Sequence, residues 1–150
     1  MTPRQSVAYT RAPQDSSYIL DVSFFVPGSA TPAFVSGFGS VFTDVDLVGV
    51  TSIQFFDTNN VSLGTFNVAP FNNGLSFLGV FFNAGERVGR VRITSGNTAL
   101  GPNDSTGTDV VVMDDFIYSE PANVPEPATL VLLVSGLAGV GAALRKRRQA

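Results

Sequence analysis

The chain has 150 residues, with nine Lys and Arg residues, twelve Asp and Glu residues and a net charge of −3 at pH 7. This length accommodates one domain of roughly 120 residues and a short additional segment. The sequence contains neither Cys nor His, which excludes disulfide frameworks, thiol nucleophiles, Ser-His pairs and ordinary zinc sites.

The charge is distributed unevenly along the chain. Residues 1–120 carry five Arg and eleven acidic residues, a net charge of −6, whereas residues 121–150 carry four basic residues and one Glu, a net charge of +3. An acidic domain repels the phosphate backbone of nucleic acids. We therefore expect no nucleic acid among the partners of this protein.

Residues 1–17 are mostly polar, and we expect them to form a disordered N-terminal segment. They do not resemble a signal peptide, and the first apolar stretch that follows them is interrupted by Asp21. This conflicts with the export that the other end of the chain indicates. We expect either that the native start is missing or that the initiation site is misassigned.

From residue 18 onward, short runs rich in Val, Ile, Phe and Thr are separated by Gly, Asn, Asp and Pro, a pattern typical of β-strands. Helical periodicity is absent from residues 18–120. The predicted strands are residues 18–26, 34–42, 52–57, 61–68, 75–82, 87–94 and 110–118. The predicted hairpin turns are residues 57–60, 72–74 and 83–85. The pattern predicts an all-β fold, a jelly-roll-like β-sandwich over residues 18–120.

The thirteen Phe residues all precede residue 117, and we expect many of them to form an aromatic core between two sheets. Three adjacent pairs, at residues 24–25, 55–56 and 81–82, must send one ring to each face of a strand. The long uncharged stretches 22–43 and 58–85 fit either sheets covered on both sides or an apolar outer patch.

Acidic residues near the predicted strand ends suggest a calcium site. Asp44 and Asp46 are two residues apart, so their side chains are expected to leave the same side of the strand. Asp114 and Asp115 lie in the final strand, which often runs near the early strands in jelly-roll modules. Calcium takes about six to eight oxygen ligands, and the loop at residues 101–109 offers more. We predict Asp44, Asp46 and Asp115 as ligands; the competing interpretation is turn caps and solvated edge charges.

The sequence lacks the residues that most enzyme active sites require. Two carboxylates can hydrolyse a glycoside, but Asp114 and Asp115 are adjacent and are expected to point to opposite faces of a strand. We therefore expect a non-catalytic protein.

Two further patterns bear on carbohydrate binding. Arg90 and Arg92 form either a basic stripe for an acidic glycan or, as we favour, a solvated strand face paired with Glu86 or a nearby Asp. Tyr18, Tyr118 and outward-facing Phe rings offer stacking surfaces for sugars, although the sequence contains no Trp.

Four segments of the domain also resemble a recurring domain of exported bacterial proteins. These segments are residues 36–46, 52–57, 75–80 and 112–118, and the resemblance covers residues 34–120. It implies no particular biochemical activity.

The final part of the chain has three components in a fixed order. Residues 121–127 are expected to form a Pro-rich linker, which ends in Pro125, Glu126 and Pro127. The uncharged apolar run at residues 128–144 follows. As a helix it is roughly 26 Å long, near the lower limit for spanning a hydrocarbon core of about 30 Å. We predict a transmembrane helix over this run.

A basic cluster, Arg145, Lys146, Arg147 and Arg148, follows the apolar run. Basic residues that flank a span stay on the cytoplasmic side of the membrane. We therefore expect residues 145–150 to form a cytoplasmic tail, with the domain on the opposite side.

This order of motif, apolar run and basic stop resembles the PEP-CTERM sorting signal of Gram-negative bacteria. In that family the tail is read by exosortase, a membrane-embedded enzyme similar to cysteine proteases, which is thought to cut near the Pro-Glu-Pro motif. The resemblance implies that Pro125, Glu126 and Pro127 are the sorting motif and that exosortase is a partner. The alternative is an ordinary membrane anchor with a chance motif.

The sequence thus predicts an exported protein of the cell envelope or extracellular matrix. We expect it to be anchored in the inner membrane of a Gram-negative bacterium with its domain in the periplasm, and to reach the surface or the medium after tail removal. The alternative is a calcium-stabilised carbohydrate-binding module that uses the same tail and binds an extracellular polysaccharide.

Overall fold

The structure is a computed structural model, and it describes residues 6–11, 18–98 and 106–124. These residues form ten strands: β1 (Ser6–Arg11), β2 (Tyr18–Phe25), β3 (Ala33–Phe34), β4 (Gly37–Val45), β5 (Ser52–Asp57), β6 (Ser62–Asn67), β7 (Phe71–Phe81), β8 (Val88–Ser95), β9 (Val112–Tyr118) and β10 (Ala122–Asn123). All paired strands are antiparallel, which confirms the predicted all-β character.

The strands form three sheets. The largest has the order β1-β2-β8-β5-β6, the second has the order β7-β4-β9, and a small third sheet pairs β10 with β3. Only β1–β2 and β5–β6 are pairs of consecutive strands within the two larger sheets, because the other connections pass from one sheet to another.

The five-stranded and three-stranded sheets pack against each other through aromatic side chains. Phe24 of β2 lies 6.2 Å, centroid to centroid, from Phe38 of β4 and 5.8 Å from Tyr118 of β9. Phe55 of β5 contacts Phe82, just after β7, at 5.3 Å. These contacts join aliphatic side chains that are fully buried: Val22, Val35, Val45, Ile53, Val88, Val91 and Ile93. The expected aromatic core between two sheets is therefore present.

Both ends of the predicted domain differ from expectation. Strand β1 lies inside the segment predicted to be disordered, and it pairs with β2 over its whole length, from Ser6 opposite Phe25 to Arg11 opposite Leu20. Strand β10 lies inside the predicted linker and pairs with β3. Polar segments form these strands because their hydrogen bonds are completed by a neighbouring strand.

Two of the three predicted hairpin turns are not hairpins. Asn73 has a φ of 52° and lies within β7, at a register shift against β4. The segment 83–85 connects β7 to β8, which belong to different sheets. The turn at residues 57–60 is confirmed. Asp57 Oδ1 accepts the N–H groups of Asn59 and Val61, and Asn60 has a φ of 64°.

The antiparallel pairing places the ends of several strands at one end of the molecule, which we call the tail-proximal end. Gly37, the first residue of β4, pairs with Phe81 at the end of β7, and its carbonyl accepts the N–H of Ser119 just after β9. Val35 forms a bridge with Val88 at the start of β8. The loops 46–51 and 68–70 lie at the opposite end.

The described part of the chain contains no helix that is long and apolar enough to cross a membrane. The helix predicted over residues 128–144 lies outside the described residues, as does the basic tail at residues 145–150.

Candidate functional site

The sorting motif begins where the folded domain ends. Pro125, Glu126 and Pro127 and the basic cluster 145–148 lie outside the described residues, but the preceding segment is described. Asn123 pairs with Ala33, and the N–H of Val124 points to the carbonyl of Pro32 at 3.5 Å. The chain therefore leaves the domain at the tail-proximal end, directly into the Pro-Glu-Pro motif.

A cavity of about 530 Å³ lies beside this exit. Val124 and Pro32 line one side of it, and Phe25, Asn60 and Arg90 contribute to the other. The guanidinium of Arg90 is already bound, since its Nε and Nη2 both donate to Asn60 Oδ1 and its Nη1 donates to an aspartate. The cavity is thus mostly apolar, with a cation that is neutralised by its neighbours.

The two arginines of β8 form an ion-pair network rather than an open basic stripe. Asp21 of β2 accepts Arg90 Nη1 at 2.8 Å, Arg92 Nη2 at 2.7 Å and Arg92 Nε at 2.9 Å. Phe56 stacks on the guanidinium of Arg90, at 3.7 Å from the ring centroid. We favoured a strand face on which the two arginines pair with an acidic residue. This interpretation is confirmed, and the acidic partner is Asp21.

This network shifts the pKa of its members. The hydrogen bond from Arg92 is the largest influence on Asp21 and lowers the pKa of its carboxyl below 3.8, although partial burial opposes the shift. The same hydrogen bond raises the pKa of Arg92. Both residues are therefore held in their charged forms at neutral pH.

The structure separates the aspartates that were predicted to bind calcium. Strand β9 does pair with β4, as expected. Because Thr43 pairs with Val112, the position of Asp44 corresponds to residue 111, and Asp115 lies four residues further along β9. This offset corresponds to about 13 Å along the strands at ~3.3 Å per residue. Within the described residues, no group of three or more acidic side chains could hold a metal ion. The calcium hypothesis gains no support from this geometry and stays a prediction.

Backbone geometry explains these aspartates without a metal. Asp44 and Asp115 have φ values of 59° and 54°, and each lies at a register shift beside β4. Asp tolerates this left-handed conformation better than most residues. The Oδ1 atom of Asp44 accepts the N–H of Asn73 at 2.7 Å. The strict alternation from which the sequence argument placed Asp44 and Asp46 on one side therefore fails at Asp44.

Asp109, the last residue of the loop that was expected to offer further calcium ligands, is instead a structural carboxylate. It is completely buried, and its two carboxylate oxygens accept the N–H groups of Asp46 and Leu47 at 3.3 and 3.0 Å. Its own N–H donates to Asn97 Oδ1 at 2.8 Å. Asp109 thus connects the loop after β4 to the loop after β8, at the end of the molecule far from the tail.

The three-stranded sheet carries an exposed apolar surface, which we call the outer face. It consists of six side chains that are between 45 and 69 % exposed: Phe71, Leu75, Phe77 and Phe81 of β7, and Val112 and Ile117 of β9. Contiguous apolar surfaces of this kind are uncommon on monomeric soluble proteins and mark interaction sites. The uncharged stretches of the sequence fitted either sheets covered on both sides or an apolar outer patch. The structure shows an apolar outer patch.

Glycines allow two rings of the outer face to lie close to the sheet. Gly39 and Gly79 pair directly, and a Cβ atom on either would lie within 3.0 Å of the Phe77 ring. A Cβ atom on Gly37 would likewise lie 3.0 Å from the Phe81 ring. The rings cover glycine backbone with one side and remain exposed on the other.

Comparisons with known proteins identify one feature of the chain. The PEP-CTERM protein-sorting motif matches residues 123–148. No curated protein and no solved structure is significantly similar to the chain. The predicted recognition of the tail is confirmed: the chain carries a PEP-CTERM protein-sorting motif, which implies an exported protein that is processed by the membrane protein exosortase.

Proposed function

We propose that this chain is a non-catalytic component of the cell envelope or extracellular matrix of a Gram-negative bacterium. Its domain is a jelly-roll-like β-sandwich that reaches the periplasm and is held at the inner membrane by a helix over residues 128–144. Cleavage near Pro125, Glu126 and Pro127 then releases the domain to the surface or the medium.

The observation that carries this proposal is the position of the motif relative to the fold. The match begins at residue 123, and Asn123 is the last residue of β10. The functional elements are therefore arranged in series: a folded domain, a short Pro-containing segment, an apolar run and a basic stop. In such an arrangement the tail can be removed without loss of any strand of the two larger sheets.

The non-catalytic part of the proposal is supported by composition. With no His and no Cys in the sequence, the usual nucleophile and base pairs are missing. Among the described residues, Asp44 and Asp57 accept backbone N–H groups at a bulge and a turn, and Asp21 is paired with two arginines.

The test replaces Pro125, Glu126 and Pro127 with Ala in the full chain, expressed in a host that contains an exosortase. We expect the wild-type protein to lose its C-terminal segment and the triple variant to keep it through Ala150. Membrane insertion should be unchanged, because residues 128–148 are intact. Mass spectrometry of the C-terminal peptide distinguishes the two forms.

Glu120→Ala is the matched control, because it removes an exposed carboxylate six residues before Glu126 and leaves the motif intact. It should be processed like the wild type. Intact Ala150 in both the wild-type protein and the triple variant would mean that the tail is a plain anchor, and the sorting proposal would be wrong.

A further inference from the structure

The domain has little freedom to move away from the membrane, if the proposed function holds. Val124 is the last described residue, and the apolar run begins at residue 128. The four intervening steps span at most about 14 Å at ~3.6 Å per residue. The polar headgroup layer on each side of a bilayer is itself roughly 5–8 Å thick. The tail-proximal end is therefore held at or near the lipid headgroups.

The outer face reaches this same end of the molecule. Val124 is positioned against Pro32, and the carbonyl of Ser36, four residues further along the chain, accepts the N–H of Phe82 at 2.8 Å. Phe81 is the last residue of β7 and is 69 % exposed. Ile117, which pairs with Gly39, is close to the same level and is 57 % exposed. Two large apolar side chains of the outer face therefore lie toward the end at which the chain leaves the domain, while the residues beside the exit itself are Phe25, Asn60 and Arg90.

We propose that the tail-proximal half of the outer face, Phe81 and Ile117 above all, rests in the interface of the bilayer while the chain is anchored. The occupant of this surface is the lipid interface itself. This inference depends on the membrane anchoring in the proposed function, and it adds a second contact between the domain and the membrane.

The charges at this end of the molecule are mixed, because the carboxylates of Glu86 and Glu120 lie there together with Arg87. Residues 71–81, which form β7, contain no charged side chain. Arg87 follows β7 and lies 5.1 Å from the ring centroid of Phe34, at the tail-proximal end, where a cation meets lipid phosphate. Asp114 pairs with Val41, further from the exit. A tilt of the domain toward Phe81 would bury this ring and keep the Asp114 carboxylate in water.

The absence of Trp from the sequence provides a clean probe. Phe81→Trp and Ile117→Trp each introduce a single indole on the proposed contact, and Trp is well accommodated at membrane interfaces. Val48→Trp is the control, because Val48 is 83 % exposed in the loop at the opposite end. The experiment uses the full chain in phosphatidylcholine vesicles, with and without brominated acyl chains.

We expect all three variants to float with the vesicles. The indoles introduced at positions 81 and 117 should emit at shorter wavelength than the indole at position 48 and should be quenched by brominated lipid. The indole at position 48 should be quenched by aqueous iodide and not by brominated lipid. Circular dichroism confirms that each variant keeps its strands.

Four outcomes would overturn the inference. If the chain does not float, membrane anchoring fails and this inference fails with it. If it floats but the indoles at positions 81 and 117 respond like that at position 48, only the lipid contact is wrong. A blue shift without quenching by brominated lipid assigns the face to a second copy of the chain. A shift that requires added dextran assigns it to a polysaccharide.

Discussion

Gly96 is a position at which one added methyl group should strongly destabilise the fold. It follows β8, is buried, and has a φ of 68°, in the left-handed region. A Cβ atom there would overlap the carbonyl oxygen of Asp109. The overlap is far beyond any tolerable contact, and the atom it involves is backbone, which cannot rotate away. We therefore expect Gly96→Ala to displace the chain around Asp109.

The cost of Gly96→Ala can be worked out from the contacts that would be lost. The left-handed conformation alone costs a residue with Cβ about 1–2 kcal/mol. The carbonyl of Asp109 accepts the N–H groups of Asn97 and Thr98 at 3.0 and 3.3 Å, and its carboxylate accepts two further N–H groups. Each hydrogen bond contributes about 1 kcal/mol, so the loss of two or three brings the total to roughly 4 kcal/mol.

Gly28→Ala is the matched control. Gly28 has a φ of 76°, but a Cβ atom there would meet nothing within 4 Å. It should show only the conformational cost, about 1 kcal/mol. For a domain of this size, 1 kcal/mol corresponds to a shift in melting temperature of about 4 °C. We therefore expect losses of roughly 16 °C for Gly96→Ala and about 4 °C for Gly28→Ala.

The assay is thermal and urea unfolding of the two variants and the wild type, in the same detergent, followed by circular dichroism. If both variants lose the same stability, the loop around Asp109 absorbs the methyl group without loss of hydrogen bonds. The reasoning from the overlap with the Asp109 carbonyl would then be refuted.

Three further predictions follow from the core, the ion-pair network and the predicted metal site. Phe24→Ala should cost about 3–5 kcal/mol in urea unfolding, because it removes a fully buried ring; a loss below about 1 kcal/mol would contradict the packing. Asp21→Asn should cost about 1 kcal/mol at neutral pH, because water screens the half-exposed Arg92. Since the pKa of folded Asp21 lies below 3.8, the difference from the wild type should persist from about pH 7 to 5 and vanish as the pH falls below 3.8. Asp44→Asn should be nearly neutral, because Asn also accepts a hydrogen bond from Asn73 and tolerates positive φ. A calcium-induced rise in melting temperature that this variant abolishes would instead show that the Asp44 carboxylate binds the ion.

The strands could be predicted from the sequence because runs rich in Val, Ile, Phe and Thr are separated by turn residues. Residues 52–57 were predicted with the bounds that β5 has. Within β5, Ile53 and Phe55 are buried while Gln54 and Phe56 are not. The sequence shows this alternation at Ile53 and Gln54, whereas Phe55 and Phe56 are both aromatic and only their positions on opposite faces of the strand could be expected.

The pairing of strands could not be predicted in the same way. Asn72, Asn73 and Gly74 have the composition of a hairpin turn, yet β6 and β7 belong to different sheets. Turn residues report local backbone conformation, such as the positive φ of Asn73. They carry no information on which strand supplies the hydrogen bonds, since that choice depends on contacts distant in sequence.

The sorting motif and the predicted metal site also differ in whether a single sequence is enough to predict them. The sorting motif is linear, so residues 123–148 suffice for its recognition. A metal site requires side chains from several strands within a few ångströms of one point. Bulges at Asp44 and Asp115 shift the register and reverse the expected direction of side chains, which a single sequence does not reveal.

The two main sheets share one core but differ on their outer faces, and this difference has a functional consequence. The five-stranded sheet covers its outer face with the network of Asp21, Arg90 and Arg92, which favours contact with water. The three-stranded sheet exposes Phe77 and Phe81 instead. The exposed rings contribute little to the stability of the domain. The apolar outer face of the three-stranded sheet therefore has no explanation in folding alone. In the proposed anchored form, with a short tether to the membrane, the outer face would gain a lipid interface in which to bury its rings. It would lose that interface when the tether is cut, so cleavage by exosortase would change the surface that the domain presents as well as its location.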